Sequence, residues 1–370
     1  MHGSHQIENT NKKAGEINMS CSKNETNNII NRGKGCLIGG AIGDAFGYQI
    51  EFMSIEEIRA KYGKEGLREY IISSGIAPIT DDTQMTLFTA EGIFLWEKAQ
   101  KENSDTKLEN FCFKAYRDWF YTQENDNENK RKHKSVTDIY GIPELHIRRA
   151  PGYTCTRALR SKKVGKIDNP INDSKGNGGL MRVSPVAIHF SPDKYSLEEI
   201  MMLGAKTAAV THGHPLGFIS TAMLTGMLNL MIYKEYPLLD AISKAEEYTY
   251  KLFGGYEEIN EMMTLIKTAK ELSCLEMNDV EAISKLGRSA LAESTLAIAI
   301  YCSLKYENDF EKAIIAAANF DGDSDTVAAV TGNIMGAHLG FNKIPEKYIL
   351  PLQFKDLILE ISEKLCNQKV

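Results

Sequence analysis

The chain has 370 residues, 43 Lys and Arg against 49 Asp and Glu, 43% hydrophobic residues and a formal net charge of −6. That length buries a large core without disulfide or metal staples, and mild acidity argues against a nucleic-acid partner, which needs a net basic face to displace counterions. No run of ~18 or more apolar residues occurs, so no membrane span is expected.

Residues 1–33 begin MHGSHQIENTNKK and lack the apolar stretch of a secretory signal. Seven of them are Asn and only eight are apolar. So little can be buried that the segment is expected to be a mobile tail. From Gly35 onward, apolar residues recur at helical spacing. In GCLIGGAIGDAFGYQIEF, Gly35, Gly39, Gly43 and Gly47 stand four apart, a ridge without side chains against which another helix packs closely. Asp44 and Glu51 lie seven apart on one helical face among apolar neighbours, and each needs a cation, a metal or hydrogen-bond donors. Further helices are expected at about 84–98, 107–123, 198–210, 216–234, 238–252, 257–272, 279–285, 290–305, 309–318 and 325–338. Period-two alternation is scarce. The expected fold is therefore an all-α, compact single domain over residues 34–370. Its main irregular stretch is 122–182, polar and rich in Gly, Pro, Asn and Lys. No linker or fixed-period repeat divides it. The seven cysteines form no C-x-x-C pair and are odd in number, which indicates reduced thiols in a cytoplasmic compartment.

The chemistry concentrates in two acidic motifs. Thr80-Asp81-Asp82-Thr83 precedes the segment at 84–98, and Asp321-Gly322-Asp323-Ser324-Asp325-Thr326 precedes VAAVTGNIMGAHLG. Both sit where a helix begins, so capping and the helix dipole account for one acid at each place. Two or three together repel one another and call for a counter-cation. Oxygen-only ligands suit Mg²⁺, Mn²⁺ or Ca²⁺. An EF-hand is excluded, because its sixth position is Thr326 rather than Gly and its twelfth is Gly332 rather than Glu. Two readings remain: separate solvated caps, or two helix starts converging on a two-metal centre. The loop Ser174-Lys175-Gly176-Asn177-Gly178-Gly179 has the small residues of a phosphate cradle or of a structural turn, without the P-loop pattern. Thr211-His212-Gly213-His214-Pro215 opens the next long helix. It lacks a third zinc ligand, so a cap or a single ligand-contacting imidazole is expected. There is no G-x-S-x-G elbow of an α/β hydrolase.

Taken together and in this order, GCLIGGAIGDAFGYQIEF, ITDDTQMTLFTAEGI, RAPGYTCTRAL, SKGNGGLMRVSPVAI, THGHPLG and NFDGDSDTVAAVTGNIMGAHLG resemble the ADP-ribosylglycohydrolase family. The resemblance spans about residues 35–340. It implies a compact all-α fold with a pair of Mg²⁺ or Mn²⁺ ions in a cleft. It implies Thr80, Asp81, Asp82, Asp323, Asp325 and Thr326 as metal ligands. Ser174 and the Gly176, Asn177, Gly178 and Gly179 loop would hold the diphosphate of ADP-ribose, and His212 would contact substrate. Glu51 falls where a glutamate reaches the metal site, so Glu51, Asp82 and Asp323 are the candidates for catalysis. The activity implied is metal-dependent removal of ADP-ribose from modified protein side chains, ADP-ribosylarginine first. Two alternatives accompany it: an ADP-ribose-binding module with reduced catalysis, and an immunity protein that binds a cognate ADP-ribosyltransferase toxin through residues 1–33. The chain departs from the family pattern at Asp321, where Gly is common. It departs again over Gly287–Ser294, which lacks the Trp of G-x-G-W-x-A-E-E.

Overall fold

A computed structural model describes residues 4–72, 74–103 and 105–367, with side chains from Thr26 onward except those of Asn127 and Asn129. The mobile tail and the toxin contact expected of residues 1–33 fall mostly on residues 1–25, outside the described side chains. Among the described residues there are seventeen α-helices and five short 3-10 turns. The only β-pairing among them is two isolated bridges, Ala77 with Leu352 and Gly176 with Leu291. The all-α expectation holds. Each helix read from periodicity is present, from Asp81–Gln100 and Leu108–Gln123 through to Phe310–Ala318 and Ser324–Leu339. Periodicity missed Ile55–Tyr62, Tyr153–Arg160 and Ser184–His189, which are 8, 8 and 6 residues long. A 3.6-residue repeat registers only weakly over two turns or fewer, and of the helices this short only Asp279–Ser284 was expected. It also missed the amphipathic helix Lys355–Cys366.

Two helices from opposite ends of the chain organise the core. Ser4–Gly47 runs antiparallel along Ser324–Leu339, joined by the glycine ridge. A Cβ on Gly35, Gly39, Gly43 or Gly47 would fall inside the backbone of Gly336, Gly332, Ala328 or Ser324 respectively. The facing Gly332 and Gly336 meet the Gly39 and Gly35 carbonyls just as closely. Arg32 fastens the upstream end, its Nη1 donating to the carbonyls of Ala337 (2.9 Å) and His338 (2.5 Å), the last acceptors of the partner helix. This antiparallel register sets Asp44 near the start of Ser324–Leu339; Glu51, expected on the same helical face, instead follows the 3-10 turn Tyr48–Ile50 beyond the end of the helix, and there meets Asp323 and Asp325.

Helix Pro215–Lys234 is long and apolar enough to cross a membrane, with a mean hydropathy of 1.5, but 94% of that window is buried in the fold. A helix apolar on all sides is here the centre of a core. Six cysteines (36, 112, 155, 274, 302 and 366) are free thiols, as their spacing led us to expect.

Candidate active site

One wall of the site is the start of helix Asp81–Gln100. Thr80 is its N-cap, its side chain accepting from Asp82 N at 3.3 Å. Asp81 and Asp82 therefore occupy the first turn, where the helix dipole favours negative charge. Asp44 holds this start in place. Its buried carboxylate accepts from Thr80 N and Thr83 N at 3.0 Å each, and from the Thr83 hydroxyl. Of the partners a buried acid could take at position 44, the structure supplies hydrogen-bond donors. Asp81 is strapped from outside, its Oδ2 accepting from Gly152 N at 3.0 Å and its N–H donating to Arg149 O at 3.2 Å.

The facing wall is the start of helix Ser324–Leu339, with Asp323 as N-cap and Asp325 in the first turn. Asp323 is fixed twice: its N–H donates to Ser289 Oγ and its Oδ2 accepts from Asn177 Nδ2, both at 2.9 Å. The same Asn177 amide reaches Ser289 O and Thr295 Oγ1 at 3.1 Å. The Gly287–Ser294 stretch thus serves the site through Ser289 although its Trp is missing. Asp321 turns away, accepting from Ile55 N to anchor helix Ile55–Tyr62.

The two walls meet. Carboxylate oxygens of Glu51, Asp323 and Asp325 lie within 4.8 Å of one another. Asp81, Asp82 and Thr326 line the same cleft, of about 350 Å³. Asp81, Asp82 and Asp325 are only 5%, 3% and 2% exposed, so separate solvated caps are excluded. Burial, with neighbouring carboxylates adding to it, pushes the carboxyls of Asp81, Asp82 and Asp325 well above the usual range. Glu51 is raised to about 7 by burial, then by Asp323 and Asp44. Asp82 Oδ2 is buried without a hydrogen-bond partner among the described residues. A crowded, oxygen-only donor set with an orphaned carboxylate oxygen fits hard divalent cations.

Acids with raised folded-state pKa values bind protons more tightly folded than unfolded. Without cations, the stability these acids contribute is therefore fully present below about pH 4, the unfolded carboxylate range, and is lost as pH rises towards about 7. Divalent cations taken up by these carboxylates would displace those protons and oppose the loss. Thermal scans in chelator should show the melting temperature declining from about pH 5 to about pH 8. Mg²⁺ or Mn²⁺ should raise it more at the higher pH. A cation-induced shift of equal size at both pH values would contradict this.

The third wall is the glycine loop over His212. A Cβ on Gly176 would stand 3.4 Å from His212 Nε2, and one on Gly178 2.9 Å from both His212 Cε1 and Cys155 Sγ. Gly176, Asn177 and Gly178 line the cleft. Gly179 instead packs on Ala208. Ser174 supports the loop, its Oγ accepting from Gly176 N at 3.3 Å and lying 3.1 Å from Thr154 Oγ1. His214 is the helix cap, accepting from Leu216 N at 3.1 Å, which leaves His212 as the single imidazole of the site. Burial, helped by Arg182, depresses His212 to about 3, so the ring is neutral. Arg182 Nη2 donates to Thr211 Oγ1 at 2.7 Å, and Thr211 Oγ1 lies 2.9 Å from His212 Nδ1. The Thr211 oxygen accepts from Arg182 and keeps one lone pair and one proton to share with Nδ1. With the hydroxyl donating to Nδ1, the ring proton stands on Nε2, the atom beside Gly176; with Nδ1–H donating to the hydroxyl, Nε2 is the acceptor.

Motif reading left several contributors without roles: Gly152 and Ser289, which hold the acids, and Phe52, Tyr153 and Ala290, which line the cleft. Gly152 and Tyr153 lay within one of the quoted motifs, RAPGYTCTRAL, but nothing in its composition pointed to a carboxylate 71 positions earlier.

The family model for ADP-ribosylglycohydrolases matches residues 25–370. The chain belongs to the ADP-ribosylglycohydrolase family. A protein of Archaeoglobus fulgidus without an assigned function is 28% identical over 338 residues, covering 90% of this chain and 95% of its own length. ADP-ribosylarginine hydrolase Tri1 of Serratia proteamaculans is 24% identical over 336 residues, covering 91% of this chain and 79% of its own. A solved structure, an ADP-ribosylglycohydrolase-related protein complex, shares the fold with a TM-score of 0.59 at 20% identity, over 93% of this chain and all of the other. As a member of this family the chain is an enzyme, a hydrolase of glycosidic bonds.

Proposed function

We propose that this ADP-ribosylglycohydrolase releases ADP-ribose from modified protein side chains, ADP-ribosylarginine first, and that it needs two divalent cations, Mg²⁺ or Mn²⁺. Asp81, Asp82, Asp323, Asp325 and Thr326 are the residues that would hold them, with Thr80 shaping the first helix start and Glu51 beside Asp323 and Asp325. One observation carries this reading: both acidic helix starts and the glycine loop share a single cleft. The arginine acceptor is supported by similarity to Tri1, a relative named for that substrate.

When bound, the cations would supply the positive charge that orients ribose hydroxyls and acidifies a water. The other tasks fall to the chain. Gly176 and Gly178 leave room for a diphosphate, towards which His212 offers its Nε2–H. Glu51, raised towards neutrality, is matched to taking a proton from water near pH 7. In the net reaction the water oxygen joins the anomeric carbon of the distal ribose, the carbon–nitrogen bond breaks, and the proton goes to the leaving guanidine. Asp44, Gly152, Asn177 and Ser289 act through the acids they hold and are positioning residues.

The acceptor is tested by offering Arg-, Ser- and Glu-linked ADP-ribosyl peptides with Mg²⁺, Mn²⁺ or chelator and following free ADP-ribose. Release from the arginine-linked peptide in the presence of cation is expected. Preference for another linkage would move the acceptor, and binding without release from any would overturn the hydrolase reading. The relay to His212 has its own test. Thr211→Val frees the imidazole tautomer and should weaken ADP-ribose binding about tenfold, the loss of one hydrogen bond to a charged group. Calorimetry should find cation binding unchanged, and wild-type affinity for ADP-ribose in this variant would rule the relay out.

A further inference from the structure

Beside the cleft lies a second, larger cavity of about 510 Å³, and the two share Tyr153. Its walls carry Arg148, Arg157 and Arg160 around Phe120. These cations are poorly neutralised. Arg148 has no hydrogen bond or ion pair among the described residues. Arg157 leans on the Tyr153 ring, 5.9 Å from its centroid. Arg160 meets Glu124 at 3.6 Å, with its side chain 66% exposed, a surface pair that contributes little. The setting is basic well beyond the cavity. Residues 127–166 hold eleven Lys and Arg against three Asp and Glu, in a chain whose net charge is −6. The same segment straps the catalytic wall, since Arg149 O and Gly152 N both bond Asp81.

We propose that the arginine cavity formed by Arg148, Arg157 and Arg160 beside Tyr153 docks an acidic segment of the ADP-ribosylated protein, next to the residue being released. Tyr153, 74% exposed, lines both the cleft and this cavity, so an occupant leaving the cleft on that side enters among these guanidinium groups. Asp and Glu side chains satisfy them with bidentate hydrogen bonds. A nucleic-acid strand is disfavoured, because its phosphates would run from this cavity onto the carboxylate cluster in the adjoining cleft. Such a surface sets encounter rate and partner choice more than the chemical step. The inference rests on the protein-side-chain reading above, deepening it from the modified residue to its neighbours.

The test is fluorescence anisotropy of the full-length protein with a labelled Glu- and Asp-rich peptide, a neutral peptide of equal length and a single-stranded oligonucleotide of matched charge. Wild type should bind the acidic peptide best, more weakly as salt rises. The double variant Arg148→Glu, Arg157→Glu should bind it about tenfold or more weakly. Equal binding of the neutral peptide, unchanged affinity in the double variant, or tighter binding of the oligonucleotide would each overturn the proposal. A parallel assay separates it from the hydrolase reading. In the double variant, kcat/KM should fall about tenfold on an ADP-ribosylated peptide with acidic flanks and stay unchanged on free ADP-ribosylarginine. If wild type released ADP-ribose from neither, the hydrolase reading would fall, while the anisotropy would still decide the docking surface.

Discussion

Asp325→Ala is expected to abolish divalent-cation binding and to lower turnover about a thousandfold or more, while the chain stays folded. Asp325 sits in the first turn of its helix, buried, with its carboxyl crowded by Asp323, Asp82 and Glu51. Among the described residues its carboxylate accepts a backbone bond from the adjacent Thr326 N at 2.8 Å, so removing it strands little else. Truncation also takes away a repelling carboxylate. In chelator the variant should therefore melt no lower than wild type, even though it has lost its function. Asp44 makes the contrast. That acid accepts from Thr80 and Thr83 and holds the opposite wall in shape, so its loss belongs to folding. Calorimetric cation titration, turnover and thermal scans on the same preparation separate the two behaviours. A folded Asp325→Ala protein that still bound cations and turned over would remove Asp325 from the centre.

The second large effect is expected from a single methyl group. Gly43→Ala puts a Cβ inside the carbonyl of Ala328, where backbone faces backbone and no side chain can rotate aside. Overpacking of this kind should cost about 3 kcal/mol or more, read as a lower urea midpoint. Gly255→Ala, where an added Cβ meets nothing within 4 Å, should stay within about 0.5 kcal/mol of wild type. Because Asp44 follows Gly43 and Asp325 lies on the facing helix, parting the two helices should also weaken cation binding. An unchanged midpoint for Gly43→Ala would show that the helices pack more loosely than the ridge requires.

Both effects trace to features that sequence spacing made legible. Four glycines four apart announce a close helix contact, and paired acids before apolar runs announce helix starts. The partners of those features were not legible. That Gly39 meets Gly332, or that Asp44 serves Thr80, depends on contacts between positions hundreds or tens of residues apart, which no local period encodes. Asn177 is instructive: read as a loop residue for substrate, it lines the cleft while its amide is bonded to Asp323. Arg182 showed no signal beyond following a glycine loop, yet it donates to Thr211, the hydroxyl that bonds His212 Nδ1. The basic wall was visible as composition within the irregular stretch 122–182. Its position over the cleft needed the short helix Tyr153–Arg160, which is too brief for periodicity to find.

The two buried acidic helix starts are proposed to hold the divalent cations on which hydrolysis depends. The most direct test is to strip the full-length protein with chelator, dialyse it, and titrate Mg²⁺ or Mn²⁺ back while following free ADP-ribose from an arginine-linked peptide. No release is expected from the stripped protein, and recovery should saturate as the cation sites fill. Undiminished release in chelator, from a chain that calorimetry shows to be free of cation, would contradict this dependence.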